Sequence, residues 1–352
     1  MLNQKDTSML LDCSSFEGMI DGQRIGLYQI KSLGGMKATI CNYGARVIQW
    51  IVPGHHVELQ DMVVSLPNLA ALKSDKAWMG AFVGRFANRI GRAQLSRGEQ
   101  QWTLTANEGF NNLHSGAQGC SQQVFQVLTH QNDKLELHCT LPDGADGFPG
   151  EVGLTLTYQL DDMLGLSVTW KASVSQAPTV CSFTSHIYFN LSGKGGTSLI
   201  TDHRLQIPSS RILELNSERV PTGNLVDVEG GPLDWRQLRT IGSTDFDQYW
   251  ITPDVSRPLT WQAHVESKDS GFAMDVWSTE PGLQFYAGGV LGIAANKLHD
   301  QYGRLLVPGA AFCLEPSGYP DAPSHANFPN SWFEPGETCQ GRIEYRLSRL
   351  GI

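Results

Sequence analysis

The sequence predicts an all-β fold, a large antiparallel β-sandwich with few short helices. Three observations support this fold class. Apolar and polar residues alternate with a period of two in several segments, which is typical of half-buried strands. Turn-forming residues are frequent, with 37 glycines and 17 prolines scattered along the chain. Helical periodicity is confined to short pieces such as residues 66–73. Because no linker-like or low-complexity segment interrupts the pattern, we expect residues 1–352 to form a single domain.

The strongest alternation lies near the middle of the chain. Residues 135–141, 152–160 and 164–172 carry an apolar side chain at every second position, so each is predicted to be a strand with one buried face. The turn-like pair Asp161-Asp162 separates the last two segments and predicts that they form a hairpin. Further strands are predicted at 39–51, 124–128, 272–277 and 342–347. Two antiparallel sheets packed face to face can leave a concave face whose polar side chains line a groove.

Composition narrows the classes of ligand. The chain has 26 basic and 35 acidic residues and a formal charge of −9, without a cluster of Lys and Arg. This balance argues against a nucleic acid or a membrane surface as a partner and suits a neutral polar small molecule. The first residues do not resemble a secretory signal, and no apolar run approaches the roughly 18 residues of a membrane span. The seven cysteines are scattered without a CxxC pair, so we expect neither a disulfide framework nor a zinc site, and a reducing, cytoplasmic location.

Five short runs carry more polar residues than an ordinary strand needs. They are residues 84–91 (GRFANRIG), 107–116 (NEGFNNLHSG), 184–191 (TSHIYFNL), 245–250 (DFDQYW) and 281–286 (PGLQFY). Each has a plain structural interpretation: an exposed turn, a loop with a solvated histidine, a core strand with a satisfied histidine, a turn, and a strand after a Pro-Gly turn. The alternative is a sugar site, because amides, carboxylates and arginine bind hydroxyl groups while aromatic rings stack on apolar sugar faces.

Two of the polar side chains form a candidate acid–base pair. Alternation through residues 184–191 places Thr184, His186, Tyr188 and Asn190 on one face of a predicted strand, as a polar stripe suited to a ligand groove. Glu315 lies in the run 314–329, between an apolar leucine and a proline. Poor solvation moves the pKa values of a histidine and a carboxylate toward neutrality. We therefore predict that His186 and Glu315 exchange protons with one small sugar.

Other chemistries lack their usual sequence motifs. The chain has no Gly-rich phosphate-binding loop, no GxSxG nucleophile motif and no HExxH zinc pair. Phosphoryl transfer, acyl transfer and redox chemistry are therefore not indicated. Proton transfer on a neutral polyol remains, and it requires neither a metal nor a cofactor.

The amino-acid sequences of these runs, and their order along the chain, resemble those of the aldose 1-epimerase (galactose mutarotase) family. The family's ANRI run is matched by residues 87–90, its LHGG run by LHSG at 113–116, and its H-x-YFNL strand by 186–191. Its PTG segment is matched at 221–223, FDHNF at 246–250, PG-x-Q-x-Y at 281–286, and the terminal E-x-Q-x-x-PDA run from residue 315. The resemblance spans residues 20–348, and seven runs in the same order are highly specific.

The resemblance implies a galactose mutarotase-like supersandwich that interconverts the α and β anomers of a free aldose such as glucose or galactose. It implies that His186 is the general acid that protonates the ring oxygen and Glu315 the general base for the anomeric hydroxyl. The residues it implies for positioning the sugar hydroxyls are Asn88, Arg89, His114, Asp247 and Gln284. Departures from the family pattern at Ser115, Gln248 and Ser317 leave the preferred sugar open.

Several points stay open at this stage. Arg89 near Glu315 lowers the carboxyl pKa, whereas burial raises it, and the sequence does not decide which effect is larger. A glycoside hydrolase using Asp247 with Glu315 is a rival enzyme, and a non-catalytic sugar-binding or regulatory module is a rival from another class. A related epimerase acting on a pentose, a disaccharide or a sugar phosphate is a further alternative. The expected partner is a small sugar, bound by a monomer or homodimer.

Overall fold

The computed structural model describes residues 9–54, 58–253, 258–291 and 298–351. Its largest element is an antiparallel nine-stranded sheet. In spatial order the strands of this sheet are Gln126–His130, Lys134–Leu141, Glu151–Leu160, Gly165–Ser175, Thr338–Arg349, Phe272–Ser278, Thr260–Ser267, Arg204–Gln206 and Arg239–Thr240. The C-terminal strand therefore lies in the middle of the sheet, so strands from distant parts of the chain are paired.

Two further sheets face the nine-stranded sheet. The five-stranded sheet has the spatial order Pro221–Asp227, Arg211–Leu215, Asp247–Ile251, Gly282–Tyr286 and Cys313–Ser317. The four-stranded sheet has the order Leu27–Lys31, Lys37–Cys41, Arg46–Pro53 and Leu59–Asp61. Apolar side chains of all three sheets meet in one buried cluster, for example Leu156, Leu314 and Val47. This face-to-face packing confirms the predicted all-β sandwich.

Short elements connect the sheets. Paired two-stranded ladders are Gly18–Ile20 with Gln23–Ile25, Val63–Val64 with Tyr188–Phe189, Phe82–Val83 with Thr184–Ser185, Arg89–Ile90 with Asn112–Leu113, Gln94–Arg97 with Gln100–Thr103, and Thr179–Val180 with Trp332–Phe333. One α-helix, Leu69–Ser74, occurs in the described ranges, together with 3-10 turns at Cys13–Phe16, Gly91–Ala93, Gly116–Gln118, Cys120–Gln122, Ala145–Gly147, Gly195–Thr197 and Ala322–Ser324. Within those ranges, no helix is long and apolar enough to cross a membrane.

The alternating segments form strands as predicted. Glu151–Leu160 and Gly165–Ser175 pair as an antiparallel hairpin, and each buries every second side chain along most of its length. The predicted strand at 39–51 is instead two strands, because the chain turns sharply between Cys41 and Arg46. Gly44 in this turn has φ +70, and a Cβ there would lie 2.5 Å from the carbonyl oxygen of Ser121. Only glycine fits that approach without displacing the neighbouring backbone.

The prediction of one continuous strand over 184–191 is wrong. The chain forms two short strands, Thr184–Ser185 and Tyr188–Phe189, which pair with different partners. His186 lies in the break between them, where its N–H donates to the carbonyl oxygen of Ala81 at 2.8 Å. Since every side chain from Thr184 to Leu191 is buried, alternation in this segment does not separate a core face from a groove face. The break therefore determines where the histidine points.

Candidate active site

A cavity of about 600 Å³ opens at the edge of the five-stranded sheet. All seven side chains predicted for catalysis and sugar binding line it: Asn88, Arg89, His114, His186, Asp247, Gln284 and Glu315. Three of them come from adjacent strands of this sheet, where Gln284 and Glu315 are direct cross-strand partners. The other four lie at 88–89, 114 and 186, outside the strands of this sheet. Residues far apart in sequence thus share one polar cavity.

His186 and Glu315 face each other inside this cavity. Nε2 of His186 lies 3.6 Å from Oε2 of Glu315, and the two side chains are only 6% and 5% exposed. The other ring nitrogen, Nδ1, lies 3.4 Å from the thiol sulfur of Cys313. The backbone of His186 is fixed on both sides, because its carbonyl oxygen accepts a hydrogen bond from the N–H of Gly80 and its N–H donates to the carbonyl oxygen of Ala81. The imidazole is therefore held with one nitrogen directed at the carboxyl group.

Burial dominates the titration of this pair. It lowers the pKa of His186 from 6.5 to about 4. Burial also raises the pKa of Glu315 well above 4.5, the negative charge of Asp247 raises it further, and Arg89 lowers it by a smaller amount. Of the two opposing effects on Glu315, desolvation is thus the larger. When the pair holds a single transferable proton, burial favours its uncharged forms, imidazole and carboxylic acid.

His114 is held as a hydrogen-bond donor. Its Nδ1 accepts a hydrogen bond from the backbone N–H of Asn88 at 3.1 Å, and burial lowers its pKa well below 6.5. The neutral ring therefore carries its hydrogen on Nε2. One potential metal-ligating atom from each of His114, His186 and Glu315 lies within 4.8 Å of the other two, a spacing compatible with a metal site. With Nδ1 occupied and Nε2 protonated, however, His114 has no free lone pair for a metal.

A chain of hydrogen bonds links four side chains of the cavity lining. Asn88 donates from Nδ2 to Oε1 of Gln284 at 3.2 Å, and Gln284 donates from Nε2 to Oδ1 of Asp247 at 2.5 Å. The second oxygen of Asp247 accepts from Arg219 at 2.6 Å. Each amide is oriented by its neighbour, so the donors and acceptors that remain have fixed directions. Such an array suits the hydroxyl groups of a sugar.

Arg89 is positioned by a carboxylate that the sequence analysis does not single out. Its guanidinium binds Glu108 through two hydrogen bonds, both of 2.6 Å, and lies 3.9 Å from Asp247. Bidentate pairing fixes the plane of an arginine side chain. Glu108 belongs to the polar run 107–116, which also contains His114. The polar composition of this run could therefore have indicated Glu108 as a site residue. Arg219 adjoins the segment 221–223 that carries part of the family resemblance.

Three more residues line the cavity or touch the pair. Trp78 and Tyr188 both line it. Tyr188 belongs to the predicted polar stripe, and its ring stacks on His186 with centroids 5.2 Å apart. Cys313 is buried and contacts His186. Trp78 and Cys313 both lie in segments whose composition resembles that of ordinary core strands. The sequence therefore does not predict that either residue belongs to the site.

Some predicted polar positions serve structure instead. Thr184 and Asn190 do not line the cavity, contrary to the prediction of a four-residue stripe. The Asn190 side chain donates to the carbonyl oxygens of Gly195, Ser198 and Ala310. Arg85 is buried and binds backbone carbonyl oxygens, including that of Pro142. The exposed-turn interpretation of run 84–91 is therefore wrong, and only part of this run faces the cavity.

The positions that depart from the family pattern lie behind the cavity wall. Ser115, Gln248 and Ser317 are all absent from the lining. The hydroxyl of Ser115 accepts from the N–H of Phe86 at 2.8 Å, and Gln248 donates to the carbonyl oxygen of Leu213 at 2.6 Å. None of these three side chains therefore lines the cavity directly.

Comparisons with known proteins agree with this geometry. Residues 26–346 match the family described as aldose 1-epimerase. Aldose 1-epimerase from Escherichia coli K12 is 29% identical over 341 residues, which cover 93% of this chain and 96% of that protein. Galactose mutarotase from Mus musculus is 30% identical over 336 residues, which cover 93% of this chain and 95% of that protein.

Solved structures share the fold. An aldose epimerase homologue from C. elegans superposes with a TM-score of 0.86 at 24% identity, covering 93% of this chain and 100% of that one. Galactose 1-epimerase from Lactobacillus acidophilus NCFM gives 0.80 at 21% identity, covering 95% and 97%. Together with the match over nearly the whole sequence, these findings show that the chain belongs to the aldose 1-epimerase family of isomerases.

Proposed function

We propose that this protein interconverts the α and β anomers of a free aldose by acid–base ring opening and reclosure. The observation that carries the proposal is the buried His186–Glu315 pair, 3.6 Å apart within a cavity lined by hydroxyl-binding side chains. One group gives a proton while the other takes one, which is what opening of a hemiacetal requires. Each positioned proton carrier accelerates such a step by roughly 10²–10⁴-fold.

In the opening step the proton of the pair is on His186. Glu315, as carboxylate, takes the proton of the anomeric hydroxyl, and His186 donates its proton to the ring oxygen as the bond between that oxygen and the anomeric carbon breaks. The product is an open-chain aldehyde bound beside a neutral imidazole and a carboxylic acid. Rotation about the bond between the first two carbons exposes the other face of the carbonyl. Reclosure returns both protons by the reverse path and regenerates the starting pair.

Burial and the charge of Arg89 have opposite effects on where the proton of the His186–Glu315 pair resides. Burial favours the uncharged pair that follows ring opening, whereas the positive charge of Arg89 favours the carboxylate form of Glu315 that precedes it. Hydrogen bonds from a bound sugar add to the stabilisation of the carboxylate. We propose that Arg89, Asn88, Asp247 and Gln284 bind the sugar hydroxyls, with the Nε2–H of His114 as a further donor.

The pH dependence of turnover tests the single-proton pair. At low pH both groups are protonated and no base remains, while at high pH both are deprotonated and no acid remains. We expect kcat/KM to fall on the acid side only as the pH approaches the His186 pKa of about 4, and to fall on the alkaline side at the raised pKa of Glu315. Polarimetry corrected for buffer catalysis measures this profile. An acid limb near the ordinary histidine value of about 6.5 contradicts the burial argument.

A panel of sugars tests the proposed reaction itself. The decay of optical rotation is measured for freshly dissolved α-glucose, α-galactose, xylose, arabinose and maltose, with and without the protein. We expect acceleration for at least one free aldose and no dependence on added cofactor. If no member of the panel is accelerated, the proposed activity is wrong.

A sugar carrying an anionic group is a second candidate substrate. Lys73 and Lys76 are exposed residues that line the same cavity, and they can attract a phosphate at the end remote from the anomeric carbon. Adding glucose 6-phosphate to the panel separates this candidate from a neutral hexose. The hydrolase alternative is less well supported, because both carboxylate oxygens of Asp247 are already bound, one by Gln284 and one by Arg219.

A further inference from the structure

Trp78 lies in the cavity but has no part in the proposed proton transfer. Its half-buried indole lines the cavity wall. The ring centroid lies 4.6 Å from that of His114 and 6.5 Å from that of His186, and it is only 26° from parallel to the latter ring. The indole therefore lies beside both histidines, close to the position at which protons are exchanged.

The backbone of Trp78 is in a conformation that bulky residues avoid. Its φ is +52, in the left-handed region, where a Cβ crowds the following carbonyl oxygen. Such a conformation persists only when the surrounding structure holds it, and it is found preferentially at functional sites. Here the carbonyl oxygen of Trp78 accepts a hydrogen bond from the N–H of Ala81 at 2.9 Å, and Gly80 donates to the carbonyl oxygen of His186 at 3.0 Å. The turn is thus tied to the backbone of the catalytic histidine.

A buried ion pair holds both neighbours of Trp78. Asp75 accepts hydrogen bonds from the N–H groups of Ala77 and Met79 at 2.8 and 2.7 Å. The same carboxylate binds Arg46 at 2.6 Å, and neither charged side chain is exposed. Arg46 also donates to the carbonyl oxygen of Met79 at 2.9 Å. A buried ion pair contributes little net stability, and this one fixes the backbone of the residues before and after the indole.

The cavity lining contains both polar side chains and aromatic rings. The hydrogen-bonded chain of Asn88, Gln284 and Asp247 offers polar atoms to hydroxyl groups, whereas an aldose ring also carries C–H groups that need an apolar contact. Tyr286 is another aromatic residue of the cavity lining. Its hydroxyl accepts a hydrogen bond from the N–H of Val290 at 2.7 Å, and its ring packs edge-on against Tyr188. Among the described aromatic residues, Trp78 is the one whose ring contacts both histidines.

We propose that Trp78 is the platform on which the sugar ring stacks, and that the buried Arg46–Asp75 pair is the positioning device that holds this platform beside His114 and His186. The inference rests on the proposed function, because it assumes that the ligand of this cavity is an aldose. It assigns a substrate-contacting role to Trp78 and an indirect role to Asp75 and Arg46, which act through the backbone of the turn.

Substitution of the indole tests the platform. We expect Trp78→Leu to raise KM and the equilibrium Kd for the best sugar of the panel about tenfold, with kcat changed less, because an apolar contact with the sugar is lost. Trp78→Phe keeps a stacking face and should recover most of the affinity. Trp102→Leu is the matched control, since Trp102 is also half-buried but packs against Trp332 in a remote hairpin.

The outcomes separate this inference from the proposed function. If the wild-type protein is active and Trp78→Leu keeps the wild-type KM and Kd, the platform is wrong while the proposed function stands. If the wild-type protein binds a sugar in calorimetry without turning it over, the proposed function fails and the Kd series still decides the platform. If no sugar of the panel binds to the wild-type protein, both are overturned.

A double-mutant cycle tests the positioning pair. Asp75→Asn removes the charge with little change in shape, and we expect it to raise KM. If Asp75 acts through Trp78, the double variant Asp75→Asn/Trp78→Leu raises KM relative to wild type by less than the product of the two separate effects. Fully multiplicative effects overturn the positioning role. Asp75→Glu, which keeps the charge but displaces the carboxylate, replaces Asp75→Asn in the cycle if that variant does not fold.

Discussion

Glu315→Gln is expected to lose about 10²–10⁴-fold in kcat while retaining the fold and the affinity for sugar. The amide has nearly the shape of the carboxyl group and can still donate or accept hydrogen bonds, but it cannot take the proton of the anomeric hydroxyl. The substitution is also structurally mild. Burial raises the pKa of Glu315 well above 4.5 because it disfavours the charged form, and the neutral amide leaves no unpaired buried charge.

Polarimetry, calorimetry and thermal unfolding of Glu315→Gln together measure these three quantities. Glu136→Gln is the matched control, because Glu136 is a partly exposed glutamate in the nine-stranded sheet, paired with Lys134. The control should keep full activity. Near wild-type mutarotation by Glu315→Gln means that another group is the base, whereas loss of sugar binding along with activity means that Glu315 contributes to affinity more than to proton transfer.

How much of the fold is visible in the sequence depends on where a strand lies. Glu151–Leu160 and Gly165–Ser175 have one face in the core and one toward solvent, so the alternation of their residues reports their burial directly. The segment from Thr184 to Leu191 is buried on all sides. There, polar residues are satisfied by protein atoms or face a cavity, and the sequence pattern does not distinguish the two. Asn190 and His186 therefore look alike in sequence and have different roles in the structure.

The candidate site is predictable from its polar runs, but its supporting contacts are less so. His186 and Glu315 stand out because each is an ionisable residue among apolar neighbours. Glu108 and Arg219 do not, because their importance comes from pairing with Arg89 and Asp247 at distant positions in the chain. The balance of effects on the pKa of Glu315 is likewise open in the sequence, since desolvation depends on tertiary packing that no local pattern records.

His186→Asn is expected to reduce kcat by about 10²–10⁴-fold as well, and for a complementary reason. Asparagine can keep a hydrogen bond toward Glu315 but cannot carry a proton to the ring oxygen. His114→Asn is the informative comparison, because His114 is held as a donor by the N–H of Asn88 and has no proposed part in proton transfer. It should affect KM more than kcat. Equal losses of kcat in the two variants contradict the separate roles proposed for the two histidines.

The stability of His186→Asn provides a second measurement that does not depend on activity. The folded-state pKa of His186 is about 4, below its usual 6.5, so the unfolded chain takes up a proton at this residue before the folded protein does. The stability contributed by the neutral ring is present above about pH 6.5 and is lost as the pH falls toward about 4. Asparagine does not titrate, so the variant should lose less free energy of unfolding on acidification than the wild-type protein. Denaturant unfolding at neutral pH and near pH 4 measures the difference, and an equal loss in both proteins means that His186 is not held neutral by burial.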